Sequence, residues 1–215
     1  MDFSILSNAE QLLFDALQIL KTKTTYFTDA DSISGDGDLG VNIDIVCDAI
    51  SNKSALTEGI TSWHDWGPYL ANLINEAAPS SFLTLISKSL KEASIDWPEN
   101  ERITRKNFTE TLLLSRTAMM KFGKVAVGDK TVLDVLSPVT DFALSSDENI
   151  PFGEFLDGIS EVAHQGLQST KNMQAKKGRS RWNPKISMGY QDAGALVLYE
   201  LIESFRFIIR NEESK

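Results

Sequence analysis

The sequence predicts an all-α fold, an up-and-down antiparallel bundle of eight helices. Apolar residues recur every three or four positions along most of the 215 residues. No period-two run bounded by hairpin turns interrupts them, and short polar segments punctuate helix-length intervals.

Leu12, Leu13, Leu17 and Leu20, widened by Phe14, Ala16 and Ile19, give a first helix over about residues 5–27. A second starts near Gly40 and carries Ile43, Val46, Ala49 and Ile50. The stretch 52–67 reads as polar and turn-rich. Tyr69, Leu70, Leu73, Ile74 and Ala77 form a third helix, broken by Pro79, and 80–93 a fourth. A charged connection over 94–106, containing Pro98, leads to a fifth through Leu112, Leu113, Ala118, Met119 and Phe122. Leu133, Leu136, Val139 and Phe142 make a sixth despite Pro138. Residues 152–177 give a long seventh that stops before Gly178, and Ala195 through Ile208 the eighth.

Composition narrows the function. With 42% hydrophobic and 24% charged residues the chain can bury one substantial core, which favours a single domain over residues 1–215. Thirty acids against 21 bases leave a net charge of −9, and no basic stripe with interleaved aromatics appears, so nucleic acid is not an expected partner. No window approaches the roughly 18 apolar residues that a membrane span needs, and no basic leader precedes an apolar run. A soluble, cytoplasmic protein without a membrane partner is expected. Cys47 is the only cysteine and sits beside Ile45 and Val46, so it reads as a packed thiol.

The chemistry gathers in the loops. Asp31-Ser32-Ile33-Ser34-Gly35-Asp36-Gly37-Asp38-Leu39-Gly40 packs three carboxylates and three glycines between two apolar helices. Such a run is either a solvated acidic turn or a site where carboxylates hold Mg²⁺ and glycine backbone approaches a phosphate. In an up-and-down bundle the loops after the first, third, fifth and seventh helices share one end. The other three carry Ala77-Ala78-Pro79-Ser80-Ser81, Gly128-Asp129-Lys130-Thr131, and Gly178-Arg179 through Gln191-Asp192-Ala193-Gly194. Together they suit a phosphate, with Arg179 as a bidentate clamp. No GxxxxGK[ST] run occurs.

The spacing Asp31, Asp36, Asp38, Gly40, Asn42 resembles the nucleotide and Mg²⁺ loop of the L domain of dihydroxyacetone kinases. Gly128-Asp129-Lys130-Thr131-Val132-Leu133-Asp134 resembles a second motif of that family. Gly178-Arg179, followed by Ser187, Gly189, Gln191, Asp192, Gly194 and Ala195, resembles its final loop. The three ordered matches cover nearly the whole chain.

The resemblance implies an eight-helix barrel holding ADP or ATP through two Mg²⁺ ions at its open end. It assigns the metals to Asp31, Asp36 and Asp38. It assigns the nucleotide to Leu39, Gly40, Val41, Asn42, Ser80, Ser81, Gly123, Val132, Arg179, Asp192, Ala193 and Gly194, with Arg179 as the catalytic cation. In-line phosphoryl transfer of this kind needs positioning and charge neutralisation rather than a protein nucleophile. The implied partners are a K-type substrate-binding subunit and a phosphocarrier of a phosphotransferase system, because the chain has the length of the L-like part alone; a homodimer stays open. A second reading keeps the nucleotide site but makes the protein a regulator of a partner, such as a transcription regulator. Leu39 stands where the family usually has histidine, Ser81 replaces glycine after Pro79, and Lys185, Ile186, Tyr190 and Ala193 also depart from the final motif. His64 and His164 match no motif, and Lys130 reads as a loop-fixing ion pair. Trp63, Trp66, Trp97 and Trp182 read as packing or interface residues, with Trp182 inside the final loop.

Overall fold

The computed structural model of the chain describes residues 6–53, 59–60, 62–97 and 104–213. Among these are nine α-helices and no strand: α1 (Leu6–Lys21), α2 (Thr24–Ser32), α3 (Leu39–Ser51), α4 (Trp63–Ala77), α5 (Ser81–Ala93), α6 (Arg105–Gly123), α7 (Leu133–Ser145), α8 (Phe152–Ser169) and α9 (Ala193–Glu213). From α3 onward each helix packs on the next, and α1 packs on both α3 and α9. The ring is therefore closed.

Nine helices fill eight places. Both α1 and α2 lie between α3 and α9. They are one predicted helix broken at Thr22-Lys23, where the Thr22 N–H and hydroxyl and the Lys23 N–H all bond back to the Ile19 and Leu20 carbonyls. Three threonines and two lysines in 21–25 favour a break here, since β-branched and solvated side chains add little to a helix. The second half then runs farther than expected, to Ser32, so Asp31 sits in a helical turn rather than a loop.

Two other boundaries differ. α4 begins at Trp63, inside the stretch expected to be turn-rich, because the Ser62 hydroxyl caps it by accepting the Asp65 N–H at 3.1 Å. Pro68 lies within this helix, and Trp63, Trp66 and Trp97 pack edge to face and tilted beneath it. α8 ends at Ser169 and passes through a short 3₁₀ turn, Thr170–Asn172, instead of continuing to 177. Residue 5, residues 54–58 and 61, and Pro98 lie outside the described residues.

The core fills the ring's interior. Phe27, Phe155, Leu133, Leu167, Leu196, Val135 and Val139 are fully buried, drawn from α2, α7, α8 and α9. Burying side chains of this size contributes about 1.5–3 kcal/mol each against the entropy of ordering the chain. Cys47 is buried, and loss of solvent pushes its thiol up to about 12, which suits packing rather than chemistry. Among the described residues, no helix is long and apolar enough to cross a membrane.

Candidate functional site

Alternation of direction brings the N-termini of α3, α5, α7 and α9 and the C-termini of α2, α4, α6 and α8 to one end of the ring. A cavity of about 490 Å³ opens there. All four chemistry-bearing loops reach it, as the connectivity predicts.

The acidic loop is folded by its own first carboxylate. Asp31 Oδ2 accepts the Gly37 N–H at 2.9 Å, and the Asp31 carbonyl accepts the Gly35 N–H at 2.6 Å. This tight return requires a left-handed residue, and Gly37 supplies it with φ 75°. Asp31, Asp36 and Asp38 can then each place a carboxylate oxygen within 4.8 Å of the others. Across the mouth, the Arg179 guanidinium pairs with Asp36 and reaches Asp38 Oδ2 at 3.5 Å. An all-oxygen donor set that is half in solvent fits Mg²⁺, which takes one or two carboxylates and keeps several waters.

Around this cluster the wall is mixed. Ser80 caps α5, its hydroxyl accepting the Leu83 N–H at 3.2 Å, so the first turn at Ser81 and Phe82 faces the cavity with its helix N-terminus. Leu39 begins α3 on the cavity wall. Gly123 and Val132 line the side formed by α6 and α7, and Asp192, Ala193 and Gly194 the start of α9. Gly40, Val41 and Asn42 lie off the wall. Gly40 faces α2, where a Cβ would meet the Thr24 carbonyl at 2.0 Å, while Val41 is 57% exposed on the outside. Asn42 donates its N–H to the Asp38 carbonyl. The helical turn sends successive side chains in different directions, so a contiguous motif cannot all face one cavity.

Several lining residues were not anticipated from sequence. Phe82 and Leu85 on α5 and Phe122 on α6 give an apolar wall, and Lys88, Arg181 and Trp182 a polar and aromatic rim. Phe82, Leu85 and Phe122 follow the helical period that also marks the core, which hid them. Trp182 follows Arg179 in the 3₁₀ turn Arg179–Trp182, is 73% exposed and lies under the Arg181 guanidinium, whereas Trp63 and Trp66 are buried.

Asp192 has a defined electrostatic state. It caps α9 by accepting the Ala195 N–H at 2.8 Å, and its own N–H donates to Thr170 Oγ1. Loss of solvent pushes its carboxyl up to about 6 from the ordinary 3.8, against the Ala195 N–H and the Lys130 charge, which lower it. A raised folded value stabilises the fold most below pH 3.8, and that contribution is lost as pH rises through about 6. Asparagine also caps well but does not titrate. The melting temperature of wild type relative to Asp192→Asn will therefore fall between about pH 4 and pH 6 and level off above. Parallel pH profiles for the two proteins would contradict this assignment.

A family model described as the DAK2 domain matches residues 33–206. The chain belongs to the DAK2 domain family. This bears out the resemblance carried by the three loops. The ADP-binding subunit DhaL of the PEP-dependent dihydroxyacetone kinase of Escherichia coli (strain K12) is 27% identical over 181 residues, 82% of this chain and 84% of that protein. The dihydroxyacetone kinase of Pichia angusta is 25% identical over 215 residues, 93% of this chain but 34% of its own length. The crystal structure of the dihydroxyacetone kinase from C. freundii in complex with AMP-PNP and Mg²⁺ superposes with a TM-score of 0.72 at 17% identity, covering 94% of this chain and 34% of that one. The all-helical fold of this DAK2 chain thus matches that of the part of the C. freundii kinase that it covers.

Proposed function

We propose that residues 1–215 form a single L-type domain, the ADP- or ATP-binding subunit of a kinase for dihydroxyacetone or a related keto-sugar. It relays a phosphoryl group from a phosphotransferase-system carrier to substrate held on a K-type subunit. The observation that carries this reading is the convergence, on one cavity, of three clustered carboxylates, the N-terminus of α5 and Arg179. The E. coli relative is named as an ADP-binding subunit, and the similarity runs over 82% of this chain and 84% of that protein, which supports the nucleotide-binding reading.

In this reading Asp31, Asp36 and Asp38 hold two Mg²⁺ ions, which when bound neutralise the phosphate charge. The helix N-termini at Leu39, Ser81 and Ala193 present unbonded N–H groups to phosphate oxygens. Arg179 moves from Asp36 and Asp38 onto the transferring group, where its fork matches the charge that spreads over the equatorial oxygens. Phe82, Leu85 and Phe122 offer an apolar surface to the base and exclude water from that side.

Reconstitution with the K-type subunit and the phosphocarrier tests the relay. Phosphate should pass from the carrier to dihydroxyacetone only when this chain and Mg²⁺ are both present. Tight ADP binding without transfer would favour the regulatory reading.

A further inference from the structure

Lys130 lies on the cavity wall, yet its ammonium is engaged away from solvent. The residue is 2% exposed, and Nζ donates to the Thr170 carbonyl and the Tyr190 carbonyl, each at 2.6 Å. Those two carbonyls flank the segment 171–189, which carries Gly178 and Arg179. The Gly189 N–H closes the same neck on the Lys171 carbonyl at 2.8 Å. One buried cation therefore joins the two ends of the loop. The ion pair expected from sequence is replaced by carbonyl oxygens, while Asp192 and Asp134 supply negative charge nearby.

The backbone around Lys130 is held by α7, and the loop adds ties of its own at Lys176, whose N–H donates to the Asp129 carbonyl at 3.1 Å and whose Nζ donates to the Gly128 carbonyl at 2.9 Å. Asp134, in the first turn of α7, accepts the Gly128 N–H at 2.5 Å and the Thr131 N–H at 2.8 Å, fixing the backbone on both sides. Lys130 itself adopts φ 61°, a left-handed conformation that a long side chain holds only when its surroundings demand it. The Lys130 segment is thus fixed by the first turn of α7, and the loop is tied to it through both Lys130 and Lys176. Because the bonds go to carbonyls, the change to Tyr190 in the final motif leaves them intact.

We infer that Lys130 is a positioning residue, which closes the neck of the last loop and so holds Arg179 over the carboxylate cluster. This rests on the proposed Mg²⁺–nucleotide site, and the test is a double-mutant cycle on the full chain, read as the affinity for ADP with Mg²⁺ by calorimetry. Lys130→Met should weaken binding about tenfold in wild type but less than about twofold when Arg179→Ala is already present, because the effect passes through Arg179. It should also speed tryptic cleavage after Lys177, Arg179 and Arg181. Equal losses in both backgrounds, or unchanged affinity, would overturn the inference; a purely structural lysine would lower the melting temperature without this coupling. If Lys130→Met does not fold, Lys130→Arg, which keeps the charge but displaces the donors, carries the same cycle. Should wild type bind no ADP, the nucleotide reading fails, while unchanged tryptic cleavage in the variant would refute the neck closure separately.

Discussion

Arg179→Ala will lower phosphoryl transfer to dihydroxyacetone in the reconstituted kinase by about 10³–10⁵-fold, equivalent to roughly 4–7 kcal/mol of transition-state stabilisation. Arg179 is the charged side chain that already spans the mouth, pairing with Asp36 and reaching Asp38. In the proposed mechanism its largest contribution comes when charge spreads over the transferring group, so ground-state binding of ADP should fall by about tenfold, far less than turnover. Arg179→Lys should recover little, because an ammonium cannot reproduce the planar fork. A variant that keeps wild-type transfer rates would remove Arg179 from the mechanism. One in which affinity and rate fall equally would reduce it to a binding residue.

Asp36→Ala carries the second large effect. Removing one of three carboxylates whose oxygens meet within 4.8 Å should weaken Mg²⁺-dependent ADP binding by about a hundredfold or more. Fold stability without metal should barely change. The Asp36 side chain is 36% exposed and its pairing with Arg179 is at the surface, where such pairs contribute about 0–1 kcal/mol. Thermal unfolding in chelator and calorimetry in Mg²⁺ together separate these quantities. Asp36→Ala with undiminished affinity would mean that the acidic loop is only a solvated turn.

The ring of helices was legible because its period is written in large residues such as Leu17, Leu73, Leu136 and Ile159. The break between α1 and α2 was not. The apolar pattern runs on to Phe27, and Thr22-Lys23-Thr24 contains neither glycine nor proline to mark a stop. At α4 the reverse occurred: the stretch up to Gly67 reads as turn-rich, whereas the Ser62 cap and the packing of Trp63 and Trp66 start a helix within it. The end of α8 was hidden because neither glycine nor proline lies between Gly166 and Gly178, and what ends it is long-range. Thr170 is drawn into bonds with Lys130 and Asp192, which no local pattern records.

The candidate site divides along the same line. Asp31, Asp36, Asp38, Ser80, Arg179 and Asp192 stood out by residue type and by their place in loops expected at one end of the bundle, and all six line the cavity. Gly40, Val41 and Asn42 belong to the same motif yet lie off the cavity, since helix geometry turns them toward α2 and solvent. Lys130 was seen as a fixing residue, but its partners are backbone carbonyls, which carry no side-chain signature.

Titration of the purified full chain with ADP, with Mg²⁺ present and then removed by chelator, tests the central claim most directly. Binding should be saturable and one-to-one, should depend on Mg²⁺ and should be abolished by chelation. Binding that ignores Mg²⁺, or no binding in its presence, would contradict it.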